Sequence, residues 1–242
     1  MPMVLSERGP VFFAHVPKTG GTSVEHYLYQ RFGPLSLNDV NKQANLPGTG
    51  LICAVNHLSA LDLREMIPAQ AILVFAMVRD PLERCLSEYA WQQGASRMSR
   101  MPFSTWLRVM ARCVAIDARA YGNHIRPQDD LVPEQARIFR LEDGFDQMID
   151  RIDTVTASQR PDLAVGHLKP RAGHGPQIRV HREDVALIQS LYARDYARFG
   201  YAPRTLSDYP RDRRAPARAA LATLLAPAVM ARQRRDWIRP CS

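Results

Sequence analysis

The sequence predicts an α/β fold: a single domain with a mostly parallel central sheet flanked by helices. Three observations predict it. Four short apolar runs, GPVFFAHV (9–16), GLICAVNH (50–57), AILVFAMV (71–78) and ARIFRL (136–141), are rich in β-branched or aromatic residues and close on turn chemistry, as buried strands do. Helix-period stretches lie between and after them, and strands alternating with helices build parallel sheets. At 242 residues with 46% apolar content, the chain can bury one sizeable core without demanding a second domain.

The elements follow in order. The first run leads into PKTGGTS (17–23), and residues 23–31 then read as a helix. The third leads into RDPLERCLSEY (79–89), where Pro81 sits at a first-turn position that tolerates proline, so 81–93 reads as a helix. Helices are expected over 103–113 and 145–152. Over 183–199, Val185, Ile188, Tyr192, Tyr196 and Phe199 form one apolar stripe, which predicts a single helix. Near Tyr201 the composition changes. Turn residues Pro203, Asp208 and Pro210 precede an Arg/Ala/Pro-rich stretch. The expected organisation is a catalytic domain over 1–204 and a basic tail over 205–242. Within the tail, 215–235 can form an amphipathic helix kinked or stopped by Pro227, or fray as a terminus. There is no internal repeat.

Charge and cysteine content exclude several classes. The net charge is +8, but from Arg204 onward nine arginines face three aspartates, so the tail carries +6 and the body is nearly neutral. A nucleic-acid protein would spread basic residues over a folded face with interleaved aromatics, so no nucleic-acid partner is expected. The tail reads as a solvated terminus, with peripheral contact to an anionic membrane surface as its other use. No run approaches the roughly eighteen apolar residues that a membrane span needs, and the N-terminus lacks the pattern of a signal peptide. Cys53, Cys85, Cys113 and Cys241 are widely spaced and form no CxxC pair. Reduced thiols, a cytoplasmic location and no metal are the expectations.

In an open parallel sheet, ligands bind beyond the carboxyl ends of the strands. Three polar clusters fall there: PKTGGTS, NHLSALD (56–62) and RDPLERCLSEY. In the first, Gly20 and Gly21 allow a tight turn with accessible N–H groups. Thr22 and Ser23 open a helix whose N-terminus favours anions, and Lys18 adds a mobile charge. The lysine precedes the glycines, the reverse of the nucleotide-binding P-loop, which weakens an ATPase or kinase reading. Alone, the cluster also fits an ordinary Gly-Gly turn beside a surface lysine. In the third cluster, Arg79 offers a planar fork suited to phosphate, and Ser87 a hydroxyl donor. Two separated anion clusters fit a ligand with two separated anionic groups.

PKTGGTS followed by RDPLERCLSEY resembles the cofactor-binding pair of the PAPS-dependent sulfotransferases, in particular the carbohydrate (family 2) branch that includes heparan 2-O-sulfotransferases. The likeness continues through YGNHIRPQDDLV, ARIFRLEDGFDQMI and LYARDYARFGY, and so covers roughly residues 10 to 201. The resemblance implies a single α/β domain, PAPS (3′-phosphoadenosine 5′-phosphosulfate) as donor, PAP as product, and no metal. It implies that Lys18 bridges the 5′-phosphate and the sulfonate. The backbone of Thr19, Gly20, Gly21 and Thr22, with the Thr22 and Ser23 hydroxyls, would hold the 5′-phosphate, and Arg79 and Ser87 the 3′-phosphate.

VNHLSALDL resembles the segment that carries the catalytic histidine of the 2-O-sulfotransferases, which makes His57 the expected general base. His124, in a segment that resembles the family's substrate-side loop, is the rival. His15 is expected to orient the loop rather than take a proton. Glu25 and His26, one turn into the first helix, either reach the acceptor or form a solvated face. Lys169 and Arg171, in GHLKPRAGHG, either close over the cofactor or are simply exposed. Golgi members of the family carry an N-terminal membrane anchor; this chain begins almost at its first strand, so a soluble bacterial enzyme is expected.

The function implied is transfer of the sulfuryl group of PAPS to a hydroxyl of a carbohydrate, glycolipid or other glycoconjugate, by in-line displacement with a histidine base. The competing expectations are a non-catalytic PAP-binding module and, with less support, an ATP-dependent kinase. Residues 94–126 carry no recognisable acceptor signature.

Overall fold

The computed structural model describes residues 2–37, 55–95, 101–158, 165 and 178–238. The chain divides into two compact units, one made of residues 1–79 and 128–170, the other of 80–127 and 171–242.

The first unit carries the sheet. Its strands are β1 (Met3–Ser6), β2 (Gly9–Ala14), β3 (Leu73–Val78) and β4 (Arg137–Arg140), side by side in that order. β1 runs antiparallel to β2, while β2, β3 and β4 are parallel, so the α/β prediction of a mostly parallel sheet holds. The period-2 alternation of the strands sets one face. The register aligns Val11 with Leu73, Phe13 with Phe75 and Met77 with Phe139 on it. The helix α1 (Gly21–Phe32) adds Val24, Tyr27 and Leu28 to this core. A later helix over Asp146–Thr156 adds Met148, Ile149 and Ile152. Phe13 stacks on Phe75 at 4.9 Å, and Phe75 meets Phe139 edge-on at 6.2 Å. Burying each such side chain contributes about 1.5–3 kcal/mol.

The strand expected over 50–57 is corrected at its end. Residues 50–54 lie outside the described residues, and Val55–His57 is a turn of 3-10 helix. The reason is polar: Asn56 and His57 both turn towards partners on the same side, whereas a strand would send neighbouring side chains to opposite faces. Ser59 and Asp62 then form a capping box that opens the short helix α2 (Ala60–Leu63).

The second unit is helical: α3 (Pro81–Ala95) and α4 (Phe103–Ile116) come first, and the helix over 146–156 in the other unit is α5. α6 (Arg182–Leu191), α7 (Ala193–Phe199) and α8 (Ala215–Ile238) complete it. Asp80 caps α3 by accepting from the N–H groups of Leu82 and Glu83 at 3.0 and 3.1 Å, with Pro81 in the first turn. The core is built from Trp106, Leu107, Met110 and Cys113 of α4 with Ile188, Tyr192, Ala222, Ala226 and Met230.

Two helix expectations are corrected here. The single helix over 183–199 is two, broken at Tyr192 (φ −111, ψ 27), whose hydroxyl donates to the Ile125 carbonyl at 2.9 Å and whose ring faces the Arg84 guanidinium. The tail forms one helix that Pro227 does not stop. Ala222, Ala226 and Met230 make a buried stripe on it, and that tertiary packing outweighs the local cost of proline, about 3 kcal/mol. Among the described residues, no helix is long and apolar enough to cross a membrane.

Candidate active site

After β2 the chain passes through His15, Val16 and Pro17 into the turn that precedes α1. Lys18 (φ 67) and Gly20 (φ 86) both take left-handed backbone; glycine does so freely, a lysine at a cost. Thr19 is fully buried and its hydroxyl donates to the Val16 carbonyl at 2.9 Å, so its side chain fastens the turn. Gly20 is the N-cap of α1, its carbonyl accepting from the Ser23 N–H at 2.9 Å. A Cβ on Gly20 would fall 2.9 Å from Leu141 Cδ1, and one on Gly21 only 2.0 Å from His15 Nε2. Thr22 and Ser23 lie in the first helical turn, where the N–H groups and the dipole favour an anion. A turn with two methyl-intolerant glycines, a lysine and a 12-residue helix behind it has the features of an anion cradle.

Arg79 follows β3 directly. Its N–H donates to Gln128 Oε1 at 2.9 Å, and Gln128 Nε2 donates back to the Arg79 carbonyl at 2.8 Å. Gln128 is fully buried, so this clamp is rigid. The Arg79 guanidinium reaches the Lys18 carbonyl at 3.4 Å, which brings Arg79 and the Lys18 turn together, as two separated anion-binding motifs would need to be. Sequence reasoning missed Gln128, and nothing in PQDDLV marks a glutamine that pins an arginine's backbone.

His57 is placed beside the same turn by His15. A carbonyl oxygen can only accept, so the 3.3 Å contact makes His57 Nδ1 a donor to the His15 carbonyl. The two imidazole rings meet edge to face at 4.7 Å. His15 Nδ1 in turn bonds Glu25 Oε1 at 2.6 Å, and Asn56 Nδ2 donates to the same oxygen at 3.1 Å. Burial pushes the Glu25 carboxyl up. The bond and charge of His15, the Asn56 amide and the N-terminal amine outweigh it and hold the group below its usual value. The alternatives for residues 25 and 26 thus separate: Glu25 is engaged inward and His26 is exposed. Asn56, adjacent to the expected base, carried no signal of its own.

In the second unit, Ser87 is half-buried on α3. Its neighbour Arg84 is 2% exposed and donates to the His124 carbonyl at 2.8 Å. His124 Nδ1 bonds the buried Glu88 at 2.9 Å, and the ring stacks on Trp91 at 5.1 Å. Three consecutive left-handed residues, Tyr121, Gly122 and Asn123, precede it. Lys169 and Arg171 lie outside the described residues. Among the described residues, no group of three or more His, Cys, Asp or Glu is placed to hold a metal ion.

Comparison with known proteins adds one finding. No curated protein and no solved structure matches the chain. A family model described as the sulfotransferase family matches residues 1–202. The match spans the Lys18 turn, the Arg79 clamp and both candidate histidines. The chain belongs to the sulfotransferase family, whose members transfer sulfate.

Proposed function

We propose that this chain moves the sulfuryl group of PAPS to a hydroxyl of a carbohydrate or glycoconjugate acceptor, with His57 as general base. The reading is carried by one observation: His15 touches both the cradle, at Gly21, and the candidate base, at His57. A histidine whose Nδ1–H is committed to a carbonyl keeps its acceptor lone pair on Nε2, the form that takes a proton from a hydroxyl near neutral pH. Lys18 and the first-turn N–H groups of α1 offset the charge that grows on the departing 5′-phosphate oxygen, a preorganised electrostatic contribution. The acceptor oxygen forms the new S–O bond. The old one breaks with its electron pair on the 5′-phosphate, and the proton rests on His57. The resemblance gives the 3′-phosphate to Arg79 and Ser87, and the buried Gln128 clamp supports Arg79 in that role.

The test begins with thermal shifts. PAP should raise the melting temperature where ATP with magnesium does not; a ligand at a hundredfold excess over its Kd stabilises by about 2.7 kcal/mol. Lys18→Ala and Arg79→Ala should lose the shift. In transfer of labelled sulfate from PAPS to a panel of glycans, Lys18→Ala should lower turnover by about 10²–10³-fold. His57→Ala should abolish transfer yet keep the PAP shift, and His124→Ala should retain transfer. The reverse pair of results moves the base to His124. No shift with PAP sinks the reading.

A further inference from the structure

We propose that Glu25 is a positioning residue that fixes both the candidate base His57 and the phosphosulfate cradle, acting through His15 and Asn56. The inference rests on the sulfotransferase reading above.

Glu25 lies in the second turn of α1 with its side chain 14% exposed, and His15, at the end of β2, is 8% exposed. A carboxylate so placed is costly unless it is answered by hydrogen bonds. Here it is answered twice on one oxygen: Oε1 accepts from His15 at 2.6 Å and from Asn56 at 3.1 Å. Because the carboxylate only accepts, His15 Nδ1 is the donor and its ring plane is set.

That ring has several neighbours at once. It stacks on Phe13 at 5.4 Å and presents its face or edge to His57 at 4.7 Å. Its Nε2 side occupies the space next to Gly21, where a Cβ would come within 2.0 Å. The backbone carbonyl of the same residue receives the His57 Nδ1–H. Asn56, the second residue held by Glu25, is the immediate chain neighbour of His57. One carboxylate oxygen therefore ties three pieces of chain: the end of β2, the start of α1 and the 55–57 turn. A shift of this oxygen moves the anion cradle and the base in concert, which a merely space-filling residue would not do.

Position and charge can be separated at this site. Both bonds land on a single oxygen, so Glu25→Gln keeps an acceptor in place while removing the charge. Glu25→Asp keeps the charge and withdraws the oxygen by one methylene, and Glu25→Ala removes both. The experiment uses the full chain labelled with ¹⁵N-histidine. The ring shifts and couplings report which nitrogen of His57 and His15 carries the proton, and PAP binding is measured by calorimetry on the same samples.

Wild type and Glu25→Gln should show the Nδ1–H form of His57 and PAP affinities within about threefold of each other, whereas Asp and Ala should lose that form. PAP affinity in Asp and Ala should fall by about tenfold or more, the size expected when buried donors are left without their acceptor. Retention of the Nδ1–H form in a folded Glu25→Ala or Glu25→Asp chain overturns the proposal, as does a Gln variant that behaves like Ala. If wild type fails to bind PAP, the sulfotransferase reading falls, and the His57 ring signature still decides whether Glu25 positions it. If Ala does not fold, the Asp and Gln pair decides alone.

Discussion

At Gly21 the demand for glycine is spatial rather than conformational. The residue begins α1 with ordinary helical backbone, and the His15 ring fills the place a methyl group would need. Gly20 is the opposite case, with its φ of 86 in the left-handed region. Both glycines were legible in PKTGGTS as parts of a tight turn, but only the first for the right reason, because the position of His15 is a tertiary fact. Gly21→Ala should therefore destabilise the chain by about 1–3 kcal/mol, the usual cost of overpacking. Melting curves and PAP calorimetry check this. His15→Ala in the same chain should restore the melting temperature and leave PAP binding weak, since the ring, not the methyl group, organises the turn. Gln128 and Asn56 went unread, and Glu25 was assigned to acceptor or solvent, for the same reason as the His15 contact. An amide or carboxyl that serves a distant backbone has no local pattern.

At the scale of elements, β2, β3 and β4 fall inside the predicted apolar runs; β2 and β3 are buried almost throughout and write that burial directly into composition, while β4 buries only Phe139. β1 (MVLS) is too short to declare itself in composition, and it forms as the antiparallel partner of β2, with Ser36 bridged to Met3. The run over 50–57 shares strand composition but ends in two polar residues with tertiary partners, and these turn it. The tail shows the same limit: Pro227 reads locally as a stop, while the α4 surface that retains α8 is invisible in sequence. That surface gives a prediction. The Cys113 thiol on α4 is buried beside the Ala226 carbonyl of α8, and burial pushes its pKa up to about 11. Arg218 of α8 donates to Thr105 of α4 at 2.9 Å, a second tie between the pair. Removing residues 206–242 should expose Cys113 to alkylation, which peptide mapping by mass spectrometry would detect. In the full chain the same cysteine should resist the reagent; equal protection in both chains would make the helix dispensable to α4.

For the molecule as a whole, the family match ends at residue 202 and α8 begins at Ala215, so the helix that covers α4 lies beyond the matched part. The candidate site was legible where chemistry sits in strand-end turns, at Lys18 and Arg79, and illegible where it depends on which buried side chain meets which. Lys18 also bears on durability. A side chain held in left-handed backbone costs about 1–2 kcal/mol, and here the cost falls on the residue whose ammonium the proposed chemistry cannot spare. Lys18→Gly should melt above Lys18→Ala, and neither should show a melting shift with PAP. A selection for heat resistance alone would drift towards glycine at this position and lose the proposed activity on the way.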